Sequence, residues 1–173
     1  HVSRLLVDYA RTGARVVRLK SGDSGIFGRL EEEITALREA GIAYEIVPGV
    51  TSAMAAAAAA GIPLTRRLTA RRVQFVTGHD VTGALPEDLN WAALADPSAT
   101  TVVFMGKRTI AELARRLQGA GMAADTPALL AESVSTPAQK LVRGTLATIV
   151  SLIEAEAGDG PALILLGPLA PEA

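Results

Sequence analysis

The 173-residue sequence predicts an α/β protein built in two parts, and three observations predict it. β-branched runs such as "ARVVRL" and "TTVVFM" alternate with stretches of helical period such as "RLEEEITALREAG" and "TIAELARRLQGAG", the rhythm of strands joined by crossover helices. Three glycine-bearing segments, "SGDSG", "GVTS" and "MGKRT", each follow a strand pattern directly, at the strand end where open α/β sheets hold ligands. A polar, arginine-rich stretch, "IPLTRRLTARR", separates one α/β series from another. It divides the chain into a first domain at residues 1–62, with a connecting helix, and a second at 63–173.

The elements follow in order. "HVSRLLVDYARTG" reads as a helix and "ARVVRL" as a strand, leading into the "SGDSG" loop. A helix from about Arg29 to Ala40 carries Glu31, Glu32 and Glu33 in its first turn, where the helix dipole favours negative charge; Gly41 is its stop. "IAYEIV" is the next strand, and Thr51 and Ser52 open an alanine helix. Seven alanines among residues 53–60 bury little side-chain surface but let another element approach closely. The second series runs strand "VQFVTG", loop "HDVTGALPEDLN", short helix "WAALADP", strand "TTVVFM", helix "TIAELARRLQGAG" and strand "PALLAES". A strand at "QKLVRG", a helix at "TLATIVSLIEAEAG" and a strand at "PALILLG" complete it. The predicted sheets are parallel or mixed. Because the chain opens mid-rhythm, helix first, we expect further sequence before it in the natural polypeptide.

Composition narrows the chemistry. Hydrophobic residues make up 49% of the chain but aromatics only 3%, so the core is built from Ala, Val, Leu and Ile. Seventeen basic against eighteen acidic residues give no global attraction to nucleic acid or an anionic membrane. The absence of cysteine excludes disulfides, thiolate metal sites and a cysteine nucleophile. Two histidines without an acidic cluster give no support to a metal site. No membrane span or signal pattern is evident, and the cytoplasm is the expected compartment.

"GDSG" at residues 22–25 also surrounds the nucleophilic serine of chymotrypsin-like proteases. Such a serine needs a base and a group to orient it. Only His1 and His79 are available as a base, and the strand–loop–helix setting is not that of a β-barrel protease. Ser24 is therefore not read as a nucleophile. Gly22, Gly25, Gly49 and Gly106 instead allow a ligand to approach the main chain closely. There is neither a GxxxxGK[ST] phosphate loop nor a GxGxxG after a strand. Arg29, Arg66, Arg67, Arg71 and Arg72 either meet a polyanion through bidentate contacts or form a solvated linker. From the residues alone the reading stops at a cleft for an uncharged or zwitterionic small molecule, with an anionic second ligand left open.

The run "VVRLKSGDSGIFGRLEEEITALREAGIAYEIVPGVTSAMAAAAAAGIPLTRR" resembles the uroporphyrinogen-III C-methyltransferases, S-adenosylmethionine-dependent tetrapyrrole methylases of siroheme and cobalamin synthesis. The resemblance continues through "VTGHD", "VVFMGKRTIAELARRL", "PALLAES" and "GPALILLG". It implies the two-domain tetrapyrrole methylase fold with its active-site trough between the domains, and a homodimer. It also implies an incomplete first domain, because the family's opening strand and GxGPGD segment have no counterpart here. The family's proposed proton-transferring aspartate and lysine belong to that part, so no catalytic residue is carried over.

The resemblance implies cofactor contacts at Ser21, Gly22 and Asp23, which stand at the family's GGD with serine in the first place, and at Ile26. Ser24 stands where those enzymes usually carry proline. Further cofactor positions match Thr51, Ser52, Met105 and Val134, the last where the family usually has glycine. Arg29, Arg66 and Arg67 are the implied contacts to the substrate carboxylates. The implied reaction is methylation of two ring carbons of uroporphyrinogen III to give precorrin-2, with this chain inactive by itself. The alternatives are a later precorrin methyltransferase, an RNA or protein methylase of the same fold, and a non-catalytic module that binds cofactor or dimerises. Neither nucleic acid nor a membrane is an expected partner.

Overall fold

The computed structural model describes residues 2–169; His1 lies outside the described residues. The chain divides into two compact units, His1–Ser52 and Ala53–Ala173.

In the first unit, α1 (Val2–Arg11) packs against α2 (Leu30–Glu39). α2 ends as its sequence predicts. Gly41, at φ +67°, donates to the Arg38 carbonyl at 3.0 Å, and Ile42 donates to Leu37 at 2.9 Å, so the last turn's free carbonyls are bonded. The two β-branched runs expected as strands, 14–19 and 42–47, are not strands in the structure. A strand is held by a ladder of hydrogen bonds to a neighbour, and neither run has such a partner among the described residues. β-branched composition favours a pleated, half-buried surface but does not supply one. Val17, Leu19 and Val47 accordingly remain exposed in this chain.

The second unit begins with α3 (Ser52–Ala59), whose first residue lies at the division between the units. Ala53, Ala56 and Ala57 are buried, as a closely approached alanine helix requires. Arg143 donates from Nη2 to the Ala60 carbonyl at 2.7 Å, placing a cation where the helix dipole is negative. The remaining elements are β1 (Arg72–Thr77), α4 (Trp91–Leu94), β2 (Ala99–Phe104), α5 (Ile110–Gly119), β3 (Pro127–Glu132), β4 (Lys140–Thr145), α6 (Ile149–Glu156) and β5 (Ala162–Leu166). Every element expected in this half of the sequence is present.

The five strands form one mixed sheet in the order β1-β2-β5-β3-β4. β1 and β2 are parallel, in register from Arg72 opposite Ala99 to Thr77 opposite Phe104. β5 runs antiparallel to both β2 and β3, and β4 is antiparallel to β3. β2 and β3 thus point the same way with β5 between them, so their carboxyl ends share one end of the sheet.

Leu113 and Leu117 of α5, Ile149 of α6, Leu130 of β3, and Ile164 and Leu166 of β5 form the centre of the core. It is aliphatic, as the composition predicts; Phe75 and Phe104 add an aromatic edge contact. Leu130 is 0% exposed. Leu130→Ala is expected to lower unfolding stability by about 2–5 kcal/mol through lost burial and a residual cavity; a urea titration measures it, and a change below about 1 kcal/mol would show that the site collapses.

Candidate functional site

In the first unit the loop 21–29 is folded around one carboxylate. Asp23 accepts from the Gly25 N–H at Oδ1 and from the Gly49 N–H at Oδ2, both at 2.8 Å. The loop after the first β-branched run is thereby closed on the turn before α3. Gly49 is required at this contact, since a Cβ there would lie 2.1 Å from the Gly22 carbonyl oxygen. Gly22 itself has φ +68°, and its own Cβ position faces the Ser52 nitrogen at 3.5 Å and Thr51 Cα at 3.8 Å. Gly22 and Asp23 therefore lie beside Gly49, Thr51 and Ser52 in the fold. Ile26 belongs to the same loop and is half-buried, its N–H bonded to the Asp23 carbonyl at 3.2 Å.

A second carboxylate supports the loop from beneath. Glu33, buried at the start of α2, accepts from Lys20 Nζ at 2.8 Å and from Arg18 Nε at 3.1 Å. Lys20 also donates to the Gly28 carbonyl. Of the three glutamates that complement the helix dipole in the first turn of α2, Glu33 turns inward. A lysine preceding the glycine loop and a glutamate at helical spacing on the following element were the available signal.

In the second unit the corresponding features lie at the carboxyl ends of β1, β2 and β3. Gly78 after β1 sits against Gly106 after β2; a Cβ on Gly78 would fall 2.3 Å from Gly106 Cα. Thr109 Oγ donates to the Gly78 carbonyl at 2.5 Å. Met105 has φ +54° and Ser133 φ +50°, a left-handed conformation uncommon for residues with side chains and concentrated at functional sites. Met105 is 43% exposed. Val134 lies in the turn after β3 and is half-buried. Between these turns, Lys107 Nζ meets the buried Glu132 Oε1 at 2.6 Å. The Lys107–Glu132 pair was not found from sequence; an acid ending the otherwise apolar strand "PALLAE" was its only trace.

Burial pushes the Glu132 carboxyl up, but the hydrogen bonds from Lys107 and the Gly158 N–H, with the charges of Lys107 and Lys140, outweigh it and hold the group below its ordinary value. Glu33 behaves likewise, with burial opposed by Lys20 and Arg18. Asp23 is lowered by the Gly49 N–H first and the Gly25 N–H second. With its carboxylate engaged on main chain, the "GDSG" loop is a folded clasp and not a nucleophile's setting. His79, the one described histidine, bonds through its main chain to Thr77 just past β1.

The arginines are dispersed. Arg29, with φ +56°, is exposed and holds Glu32 through two 2.7 Å bonds. Arg66 and Ala70 close a small turn by exchanging main-chain bonds of 2.8 and 3.1 Å. That turn presents Arg67 and Leu68 to solvent. Arg72 pairs with Asp96 at 2.9 Å. A cavity of about 440 Å³ lined by Ala95, Pro97, Met122, Pro127 and Pro168 opens at the opposite end of the sheet and contains none of the candidate site residues.

The sequence profile of the Tetrapyrrole (Corrin/Porphyrin) Methylases matches residues 1–150. This chain belongs to the tetrapyrrole methylase family. It is 51% identical over 166 residues to a siroheme synthase of Chromobacterium violaceum, covering 96% of this chain and 35% of the relative. To a uroporphyrinogen-III C-methyltransferase of Synechocystis it is 44% identical, covering 95% of this chain and 63% of that one. The chain thus spans about a third of the siroheme synthase it matches. Among solved structures it resembles a uroporphyrin-III C-methyl transferase from Thermus thermophilus complexed with S-adenosylhomocysteine, with TM-score 0.82 and 36% identity over 96% of this chain and 72% of that chain. A cobalt precorrin-4 methyltransferase of cobalamin biosynthesis matches with TM-score 0.86 and 30% identity over 96% of this chain and 69% of that one. No helix among the described residues is long and apolar enough to cross a membrane, and no group of metal-ligating side chains is present among them.

The lowered carboxylates of Glu33 and Glu132 contribute to the acid response of this chain. A glutamate whose folded value lies below its ordinary 4.5 contributes stability that is fully present above that value and is lost as pH falls through the folded value. The urea midpoint is expected to be flat between about pH 7 and pH 5 and to drop below about pH 4.5. Glu132→Gln should make that drop shallower; an unchanged acid slope would show that other groups dominate it.

Proposed function

We propose that this chain holds S-adenosylmethionine and belongs to an enzyme that C-methylates uroporphyrinogen III to precorrin-2. One observation carries the reading: Asp23 closes the Ser21–Asp23 turn onto Gly49 and leaves the main chain of Gly22 exposed, in a segment that resembles the family's cofactor loop apart from Ser21 and Ser24. The turns fit such a cofactor. A side chain at Gly22 would be strained at φ +68°, and a main chain approached without a Cβ can offer both donors and acceptors to a zwitterionic ligand. The cofactor contacts proposed in the first unit are Ser21, Gly22, Asp23, Ile26, Thr51 and Ser52, and those proposed in the second are Met105 and Val134.

When bound, S-adenosylmethionine supplies an electrophilic methyl group to an electron-rich pyrrole carbon, its sulfonium becoming a neutral thioether. The residues of this chain contribute binding and orientation, which carry most of the acceleration in such a displacement. Asp23 and Glu33 keep the first loop in shape, and Met105 presents an apolar thioether beside the turn. Arg29, Arg66 and Arg67 meet the carboxylates of the substrate, a bidentate task to which the guanidinium is suited. For Arg29 this requires exchanging Glu32 for substrate, which its exposed position permits. The family's proton-transferring aspartate and lysine have no counterpart in this sequence, and these 173 residues alone are expected to bind cofactor without sustained turnover. The assembly is a cytoplasmic homodimer, serving siroheme or cobalamin synthesis. A second reading, a methyltransferase acting later on the corrin precursor, is favoured by the likeness to the cobalt precorrin-4 enzyme.

Titration with S-adenosylhomocysteine and a labelled-methyl assay over uroporphyrinogen III and later precorrins test both readings. Ser24→Ala is expected to leave affinity unchanged. Asp23→Ala should weaken it by roughly tenfold as the clasp on Gly49 opens, and Gly22→Val should be the most severe. Folding is checked by circular dichroism. Failure of the unsubstituted chain to bind S-adenosylhomocysteine would overturn the cofactor assignment. Sustained methylation of uroporphyrinogen III by the 173 residues alone would overturn the expectation of inactivity.

A further inference from the structure

The Lys107 ammonium has three N–H donors, and the structure gives each a partner. Nζ lies 2.6 Å from Glu132 Oε1, 2.6 Å from the Gly158 carbonyl and 3.0 Å from the Gly160 carbonyl. The other oxygen of Glu132 accepts the Gly158 N–H at 2.8 Å. One ion pair thus ties together three separate segments: the turn after β2, the end of β3 and the loop before β5. Two of these segments contain strained backbone. Met105 lies two residues before Lys107 and Ser133 directly after Glu132, and both are left-handed. The third segment packs without clearance, for a Cβ on Gly160 would lie 2.1 Å from Ser133 Oγ.

Stability alone does not call for this arrangement. A buried ion pair can commonly be replaced by apolar side chains of similar volume with little loss. An aliphatic pair, however, could not fix the two carbonyls or the relative placement of the turns. Resting on the cofactor reading above, we propose that Lys107 and Glu132 are positioning residues whose ion pair holds the Met105 and Ser133–Val134 turns in the arrangement that receives the cofactor. Neither residue touches the reacting atoms; both act through Met105 and Val134.

The test compares the unsubstituted 173-residue chain with Lys107→Met/Glu132→Leu, reading urea midpoint, S-adenosylhomocysteine affinity and the methyl signals of ¹³C-labelled methionine. Gly158 is exposed, so water can take up its freed groups, and the double variant is expected to keep a urea midpoint near that of the unsubstituted chain. Its dissociation constant should rise about tenfold or more. The Met105 signal should shift or split, whereas Met122, buried in the core, keeps its position. Leu130→Ala is the control, lowering the midpoint without changing affinity per folded molecule or the Met105 signal. A folded double variant with unchanged affinity and an unchanged Met105 signal would overturn the proposal while leaving the cofactor reading intact. If the double variant fails to fold, Glu132→Gln, which keeps the volume and loses the charge, is read by the same two criteria. An unsubstituted chain that does not bind S-adenosylhomocysteine overturns the cofactor reading and this inference with it.

Discussion

A carboxylate removed from water must be matched by hydrogen bonds and opposite charge or it takes up a proton. In this protein that constraint organises the loops. Glu132, 2% exposed, remains a low-pKa acid because Lys107 and the Gly158 N–H face it. Satisfying it brings three chain segments to one point at the carboxyl end of the sheet. Glu33 does the same in the first unit with Lys20 and Arg18, and Lys20 reaches on to the Gly28 carbonyl. Each unit therefore uses a buried glutamate and a lysine with a second, main-chain partner. The lysine carries the constraint from the acid to the loop. Irregular backbone, which has no ladder of its own, is thereby given fixed hydrogen-bond partners.

The sheet makes this possible by its strand order. With β5 antiparallel between β2 and β3, the two outer strands deliver their carboxyl ends side by side. Lys107 follows one of them and Glu132 ends the other. Had β2 and β3 run in opposite directions, the two residues would lie at opposite ends of the sheet. β1, parallel to β2, adds the Gly78–Gly106 approach at the same end. The aliphatic core beneath, from Leu113 to Leu166, holds the strands in register. The exposed backbone at the strand ends is free to be irregular because the strands themselves are not.

Much of this was legible from local sequence. Helices and the strands of the second unit follow from periodicity, and the end of α2 from its stop signal, Gly41. The neighbours Ser21–Asp23, Thr51 and Ser52 follow from the family resemblance, and the structure brings them together through the Asp23–Gly49 bond. Two strand readings failed, at 14–19 and 42–47, because β-branched residues state a preference while a ladder needs a partner strand. The ion pairs were missed for a related reason. Lys20 and Glu33, or Lys107 and Glu132, are far apart along the chain, and nothing in the letters K and E distinguishes a buried pair from two solvated charges.

By itself the sequence determined the family, the aliphatic core, the glycine positions that admit close main-chain approach, and the lack of any thiol chemistry. These depend on residue type and local order, which are fully present in one dimension. Only the tertiary structure decided that Asp23 clasps Gly49, that Arg29 is engaged with Glu32, and that Met105 and Ser133 adopt left-handed backbone. It also decided which of three consecutive glutamates is buried. Such features arise when segments remote in sequence compete for the same few ångströms, and the outcome is settled by packing and by the need to satisfy every buried charge.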